Sequence, residues 1–516
     1  MKSTKDWIEK HHVIIFGGIL LFTIVVRMIA LGEIPQGLHV DEAGMAYDAY
    51  CYANYGVDRY LYPNPIYLIN YGSGQSVLYM YLAALCIKIF GFSITTIRLP
   101  AAILGIITVI LSYFIGKKYK SKNFGLLFMA LVAICSWHIM QSRWGLDCNL
   151  MSALVFMGIY GMLIAKKWWH YVILGCIWGI SLYTYALAHV AVPILLCVLA
   201  IYSLWTKKIK IKELLCMLFP IIIFAIPLIL FHLVNMGMIP KMPAEWIGIP
   251  IIPDYRSSEF NIMNIFQIFL HPIQSLQELF GFDANDYNAF PLFGTIYYIS
   301  IPFAIIGFLK GIKAIGKSIK EKTFHIDAVM TISFIVLYLS LKTVQNISIN
   351  RINSIYVLLL YFTALGIVYV VKKKKQILIG IILAYTICAT CFLYYYFGIY
   401  GKNNSNMSFN HDIIPLTQYL EKFEGKRIDI ISYAVQPYIY TLLANRESPY
   451  DFNSTKQEAN TTKGDYGKYY YNYAEIHDDM VYAIKYPERK NTDFENKLKE
   501  AGFKQEEYLG YKIFYQ

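Results

Sequence analysis

The chain has 516 residues, 57% of them hydrophobic and 16% charged, with a mean hydropathy of +0.44. A soluble globular chain carries roughly 45–50% apolar and about 25% charged residues, so this composition excludes an ordinary soluble domain and points to a membrane protein. The formal net charge of +12 does not indicate nucleic acid, because the lysines sit in short clusters between apolar runs and no basic face with interleaved aromatics occurs.

The first apolar run, 13–31, follows a charged leader without a small-residue cleavage site and reads as a retained signal anchor. Apolar runs long enough for ~30 Å of hydrocarbon then recur. They predict spans at about 99–116, 124–139, 151–165, 171–187, 190–205, 214–235, 294–309, 326–342, 352–371 and 377–399. The expected fold is therefore mainly α, a polytopic bundle of about 11 transmembrane helices over residues 1–399. With the N-terminus cytoplasmic, the inward segments hold 22 basic residues, from Lys2 to Lys375. The longer outward loops hold eight: Arg59, Lys88, Arg98, Arg143, Lys241, Arg256, Lys342 and Arg351. Positively charged loops stay inside, and this bias sets the orientation. Counting 76–90, with its Lys88, as a span would invert every later loop, so it reads as an interfacial or re-entrant helix.

Two long outward loops follow from this parse, 32–98 and 236–293. Within the second, 261–280 has helical apolar spacing broken at Pro272 and suits a membrane-surface helix. The tail, 400–516, differs in kind and is expected to form a small outward α/β domain. Strands are predicted at 427–432, 480–486 and 508–515, with a helix at 493–501 ending at Gly502. Its Tyr469–Tyr471 and Tyr473 cluster suits strand packing or stacking on sugar rings. Most of the nine cysteines lie inside apolar runs as packing residues, including the Cys388–Cys391 pair. Cys51 and Cys148 fall in outward loops and are the one candidate disulfide.

Polar residues that carry chemistry concentrate in the outward loops. The first group, in 37–47 (GLHVDEAGMAY), holds Asp41 and Glu42. Asp41 reads either as an N-cap with Glu42 as a first-turn acid, or as a general base for an acceptor hydroxyl. In 141–150 (QSRWGLDCNL), Arg143 and Asp147 stand four apart, the spacing of a helical salt bridge. Alternatively Asp147 joins Asp41 in one cavity while Arg143 holds a carboxylate or phosphate. Arg351, in 345–353 (QNISINRIN), either snorkels to headgroups or grips the phosphate of a polyprenyl carrier. His189 opens outward beside Tyr183 and Tyr185, as an interfacial or a substrate-binding residue.

The ordered set is an Asp-Glu pair after the first span, a long first loop closing in TIRLPA at 96–101, a basic turn after the second span, then Ser142-Arg143 and Asp147. It resembles the type C glycosyltransferases (GT-C), and within them glycosyltransferase family 39, the protein O-mannosyltransferases and aminoarabinose transferases. The resemblance covers residues 10–200 well and the remaining spans loosely. It implies a polyprenyl-phosphate sugar donor, attack at the anomeric carbon with inversion, and a cell-membrane location. It implies catalytic positions for Asp41, its companion Glu42, and Asp147, with Arg351 on the carrier phosphate. A glycan, lipid or protein acceptor and membrane lipids are the expected partners; no cofactor is certain, and a divalent cation is compatible with two acidic loops. No nucleotide-sugar Asp-x-Asp motif on a cytoplasmic domain occurs, which favours a lipid donor. The alternatives are a transporter or flippase of lipid-linked glycans, and a glycan polymerase or ligase. A transporter is disfavoured because the acids sit in loops and no internal repeat is found.

Overall fold

In the computed structural model every residue is described except 1, 243–246, 256–260, 283, 345–347, 403–407, 433–435, 457–463 and 487–491, and the side chains of 2–9, 402 and 492. The first part of the chain forms α1 (Lys2–Met28), α2 (Val40–Tyr55), a hairpin of β1 (Tyr67–Asn70) and β2 (Ser73–Ser76), then α3 (Leu78–Phe90), α4 (Ile94–Tyr119), α5 (Lys122–Ile134) and α6 (Ser136–Gln141). It continues through α7 (Asp147–Ile164), α8 (Trp168–Ser181), α9 (Ala188–Trp205) and α10 (Ile211–Asn235). After the short α11 (Gln267–Leu270) and α12 (Pro272–Phe280) come α13 (Ile301–Glu321), α14 (Ile326–Leu341), α15 (Tyr356–Lys373) and α16 (Ile377–Tyr394).

Eight helices of the described residues are long and apolar enough to cross a membrane. They correspond to eight of the eleven predicted spans. The other three are shorter helices, α5, α8 and α14. The predicted span 124–139 breaks at Cys135, whose extended backbone ends α5. There Ser136 donates its hydroxyl to the Gly294 carbonyl (2.8 Å), so a loop from another part of the chain competes for the helix. The predicted span 171–187 stops at Ser181, and turns carry the chain to α9. Residues 78–90 form α3, a helix packed between α2 and α4, as the interfacial reading required of its local structure. The 261–280 segment is helical and broken at Pro272, as its spacing predicted.

Close packing inside the bundle uses small residues. A Cβ on Gly307 of α13 would fall 1.9 Å from the Phe362 carbonyl oxygen, and one on Gly366 of α15 would fall 1.9 Å from that of Phe303. The two helices therefore touch backbone to backbone, the contact that small residues permit between membrane helices. Large apolar side chains such as Phe219, Ile222 and Ile226 on α10 are exposed, as a surface facing lipid requires.

The tail adds α17 (Ile413–Leu420), β3 (Arg427–Ile431), α18 (Tyr438–Asn445), α19 (Pro449–Thr455), β4 (Tyr469–Tyr471), β5 (Met480–Lys485), α20 (Thr492–Glu500), β6 (Lys504–Tyr508) and β7 (Tyr511–Tyr515). These strands make one sheet in the order β4-β3-β5-β7-β6, with β3 parallel to both neighbours and β7 antiparallel to both of its own. Alternate side chains point to opposite faces. Ile428, Ile430, Val481 and Ala483 pack with α17 and α18, whereas Ile431, Met480, Tyr482 and Ile484 pack with Leu498 of α20. The predicted strand 508–515 is divided by a turn at Leu509-Gly510 into the ends of two paired strands. Tyr469 and Tyr471 are buried strand residues, so the sugar-stacking alternative fails for both.

The core beneath α17 and α18 runs directly into α2: Leu38, Ala43, Ala46, Tyr47 and Cys51 belong to the same apolar cluster. Backbone bonds join Leu38 and Asn410 in both directions. Tyr440 donates to the Leu38 carbonyl (3.1 Å), Tyr47 to that of Glu447 (3.0 Å) and Asn453 to that of Arg59 (2.7 Å). Gly37, at φ +84°, lies where a Cβ would come within 2.6 Å of the Asn410 backbone. Only glycine combines that conformation with that approach. Cys51 and Cys148 are both free and lie in separate clusters, so the candidate disulfide does not form.

Candidate active site

Asp41 is the second residue of α2, and the N-cap is His39. The N-cap reading of Asp41 is thereby corrected. The His39 ring accepts the Asp41 backbone N–H (3.2 Å), and its Nδ1 lies 3.6 Å from Oδ2 of Asp41. The Asp41 side chain is 39% exposed, which distinguishes it from the other acids discussed below. Its Oδ1 accepts from Nδ2 of Asn70 (3.3 Å). That amide is oriented from behind: Arg59 donates to Oδ1 of Asn70 (3.4 Å) while forming a buried two-bond pair with Asp48 (2.9 and 2.6 Å). A guanidinium can only donate, so the amide oxygen faces Arg59 and the NH2 faces Asp41.

Glu42 has a different task from the catalytic companion role implied by the resemblance. It is fully buried and pairs with Arg98 through both oxygens (2.8 and 3.0 Å), while Oε1 also accepts the Gly145 N–H (2.6 Å). Arg98 spends its remaining donors on the carbonyls of Leu31, Pro35 and Gly37. This cluster ties the end of α1, the start of α2, α4 and the loop before α7 together. Arg143 is likewise corrected from a phosphate ligand to a cap. Its guanidinium is buried and bonds the carbonyls of Val26, in the last turn of α1, and of Ile29, Ala30 and Ile34, in the turns that follow it (2.8–3.1 Å). Among the described residues it forms no ion pair with Asp147.

Asp147 opens α7, where a carboxylate complements the helix dipole. It is buried and accepts the backbone N–H of Ser76 (3.1 Å) and of Cys148 (2.7 Å). The β1–β2 hairpin therefore reaches both acids, Asn70 touching Asp41 and Ser76 touching Asp147, and the two carboxylates feel each other's charge. Gln75 Oε1 and Ser76 Oγ, on the same hairpin, are buried without a hydrogen-bond partner among the described residues. The turn carrying Arg351 is fixed to the start of α7 by Asn353, which donates to the Cys148 carbonyl (2.7 Å). Arg351 and Asp147 both act electrostatically on the Tyr185 hydroxyl, which stands between α8 and α9. His189 pairs with His232 (3.1 Å), which pairs with Tyr255 (2.6 Å), and Tyr67 of β1 lies beside it at 6.2 Å between ring centroids.

Of the residues the sequence singled out, the fold gathers Asp41, Asp147, Arg351 and His189 at one end of the bundle. Sequence reasoning named Tyr185 only as a neighbour of His189, and it missed Asn70, the Arg59–Asp48 pair and an aromatic wall around His39. That wall consists of Trp144, Tyr287 and Phe409 with ring centroids 5.2, 5.1 and 6.0 Å from His39. Burial raises the Tyr287 pKa, so its hydroxyl remains neutral beside Asp41. One sequence signal was available: Arg98 is the one charge in the apolar body of α4 ahead of the terminal Lys117 and Lys118, and such a charge needs a partner. Among the described residues no group of three or more His, Cys, Asp or Glu is disposed to hold a metal ion.

The sequence profile of the dolichyl-phosphate-mannose-protein mannosyltransferases matches residues 75–231, a segment that includes Asp147 and His189. No curated protein matches the chain. Among solved structures, ArnT from Cupriavidus metallidurans in the apo state is similar with a TM-score of 0.55 at 10% identity, covering 97% of this chain and 98% of that one. The same enzyme bound to undecaprenyl phosphate gives 0.54 at 10% identity, over 96% and 98%. The oligosaccharyltransferase AglB from Archaeoglobus fulgidus, in complex with an inhibitory peptide and a dolichol-phosphate, gives 0.50 at 13% identity over 86% of this chain. The chain spans 65% of AglB's length. The architecture is that of the GT-C superfamily of membrane glycosyltransferases, and the chain resembles its glycosyltransferase family 39.

Proposed function

We propose that the protein transfers a sugar from a polyprenyl-phosphate donor to an acceptor hydroxyl on the outer face of the cytoplasmic membrane. The observation that carries this reading is the convergence of Asp41, Asp147 and Arg351, from three distant segments, with Asp41 the accessible one of the three acids Asp41, Glu42 and Asp147. The lysine clusters at the opposite helix ends support the outward orientation. ArnT and AglB, whose fold this chain shares, have been solved with undecaprenyl phosphate and dolichol-phosphate.

In the proposed reaction the Asp41 carboxylate takes the proton of the acceptor hydroxyl. The acceptor oxygen attacks the anomeric carbon while the bond from that carbon to the phosphate oxygen breaks. The electron pair leaves with the polyprenyl phosphate, whose new charge Arg351 offsets. A buried Asp147 stabilises positive charge developing on the sugar ring, and His189 with Tyr67 borders the sugar. Asp41 and Asp147 are also the pair that would offer oxygens to a divalent cation, which chelation in the assay below would reveal as lost transfer.

The reading is tested by donor titration in proteoliposomes. Arg351→Ala is expected to raise the donor KM on the order of tenfold or more, the scale of one lost charge-assisted contact of ~1.5–3 kcal/mol. Asp41→Asn is expected to lower kcat instead. An unchanged donor KM in Arg351→Ala would remove the carrier-phosphate assignment.

A further inference from the structure

A groove of about 1400 Å³ opens at the other end of the bundle, among α1, α5, α13, α15 and α16. It is remote from the acids. Arg98 of α4 meets Glu42 at one end of that helix, while Lys120, at the groove, follows its other end. In α15, similarly, the Asn353 end reaches Cys148 and the Lys372 end reaches the groove. Its wall is apolar, with Ile19, Leu127, Leu365 and Ile381, and it extends along α16 from Leu378 to Leu393, ~22 Å at 1.5 Å per residue. Its mouth is ringed by Lys120, Lys310, Lys313, Lys317, Lys372 and Lys375.

One acid, Asp327, lines the groove, and it is paired with Lys120 (2.6 Å). Lys317 lies 4.0 Å from Glu321, and Lys310 sits over the Tyr369 ring. Lys313, Lys372 and Lys375 form no ion pair among the described residues. The mouth therefore carries uncompensated positive charge above a long apolar trough. The volume exceeds the roughly 300–1,000 Å³ of a small-molecule pocket, and a water-soluble ligand gains little from such a wall. An amphiphile with an anionic head and hydrocarbon tails satisfies both halves, and basic pockets between membrane helices on the side rich in lysine recognise anionic headgroups.

We propose that this groove holds an anionic phospholipid, with its headgroup phosphate among Lys313, Lys372 and Lys375 and its acyl chains along α5, α15 and α16. The proposal does not depend on the sugar-transfer reading.

The test uses the full-length protein purified in detergent, offered equal amounts of phosphatidylglycerol and phosphatidylcholine with matched chains, and native mass spectrometry to count retained lipid. Wild type is expected to retain phosphatidylglycerol at least about tenfold over phosphatidylcholine. The combined Lys313→Gln, Lys372→Gln and Lys375→Gln variant should lose that retention on the order of a hundredfold, at about fivefold per lysine near an anionic surface. All three lysines are exposed, so folding is spared. Thr386→Trp fills the trough from an exposed position and should lower retention with the lysines intact. Equal retention of the two lipids, unchanged retention in either variant, or displacement by equimolar glycerol 3-phosphate would overturn the proposal.

Discussion

At the scale of single residues, neighbouring acids do opposite jobs because of what each one touches. Asp41 is half-exposed beside one amide, whereas Glu42 is sealed against Arg98 and the Gly145 N–H. Removing one partner of a buried ion pair costs about 3–5 kcal/mol, since the other charge stays buried. Glu42→Gln should therefore lower the folded yield and the thermal midpoint in detergent. A Glu42→Gln protein with wild-type stability and no transfer would instead return Glu42 to the chemistry. Asp58 offers a second check. Burial, and then the charge of Asp48, push its pKa up to about 7 from an ordinary 3.8. The folded state then holds this proton more tightly than the unfolded chain does, so its contribution to stability declines as pH rises from about 4 to about 7. Asp58→Asn should gain stability relative to wild type between pH 5 and pH 8, read as a widening difference in Tm; a constant difference would contradict the assignment. Asp41 was legible as a polar residue just past the first span, and Asp147 and Arg351 as polar residues in short outward loops. The tasks of Glu42 and Arg143 were not, because they are set by Arg98 and by the carbonyls ending α1, which no local spacing reveals.

At the scale of elements, apolar runs located the helices because hydrocarbon demands about 20 such residues. Their interruptions were hidden. The break at Cys135 depends on a carbonyl contributed by residue 294, and the β1–β2 hairpin is two strands of four residues. That hairpin is nevertheless what joins the two acids. Helix contacts were equally silent in sequence. Gly366→Ala should drive a methyl into the Phe303 carbonyl and cost about 1–3 kcal/mol, the scale of overpacking. Gly316→Ala, on the open side of α13 where no atom lies within 4 Å, should be neutral or stabilising by up to about 1 kcal/mol. Equal Tm values for the two variants would show that α13 and α15 do not approach as described.

At the scale of the whole molecule, the α/β character of the tail was readable from its strand and helix patterns. Its attachment was not. The sheet's core merges with α2; Asn410 and Tyr440 grip Leu38, ahead of Asp41, and Glu447 holds Tyr47, about one and a half turns beyond it. The tail thus holds the helix start that presents the exposed acid, while α4, α7 and the turn at Arg351 hold the other side. The central claim is that this junction of bundle and tail forms a sugar-transfer site with Asp41 as base. It is tested most directly by transfer from radiolabelled polyprenyl-phosphate hexoses to a membrane extract in proteoliposomes, with wild type and Asp41→Asn at equal folded amounts. The account predicts labelled product from wild type and a loss of at least about a hundredfold in Asp41→Asn, the scale of general-base catalysis. Equal transfer by the two proteins would contradict it.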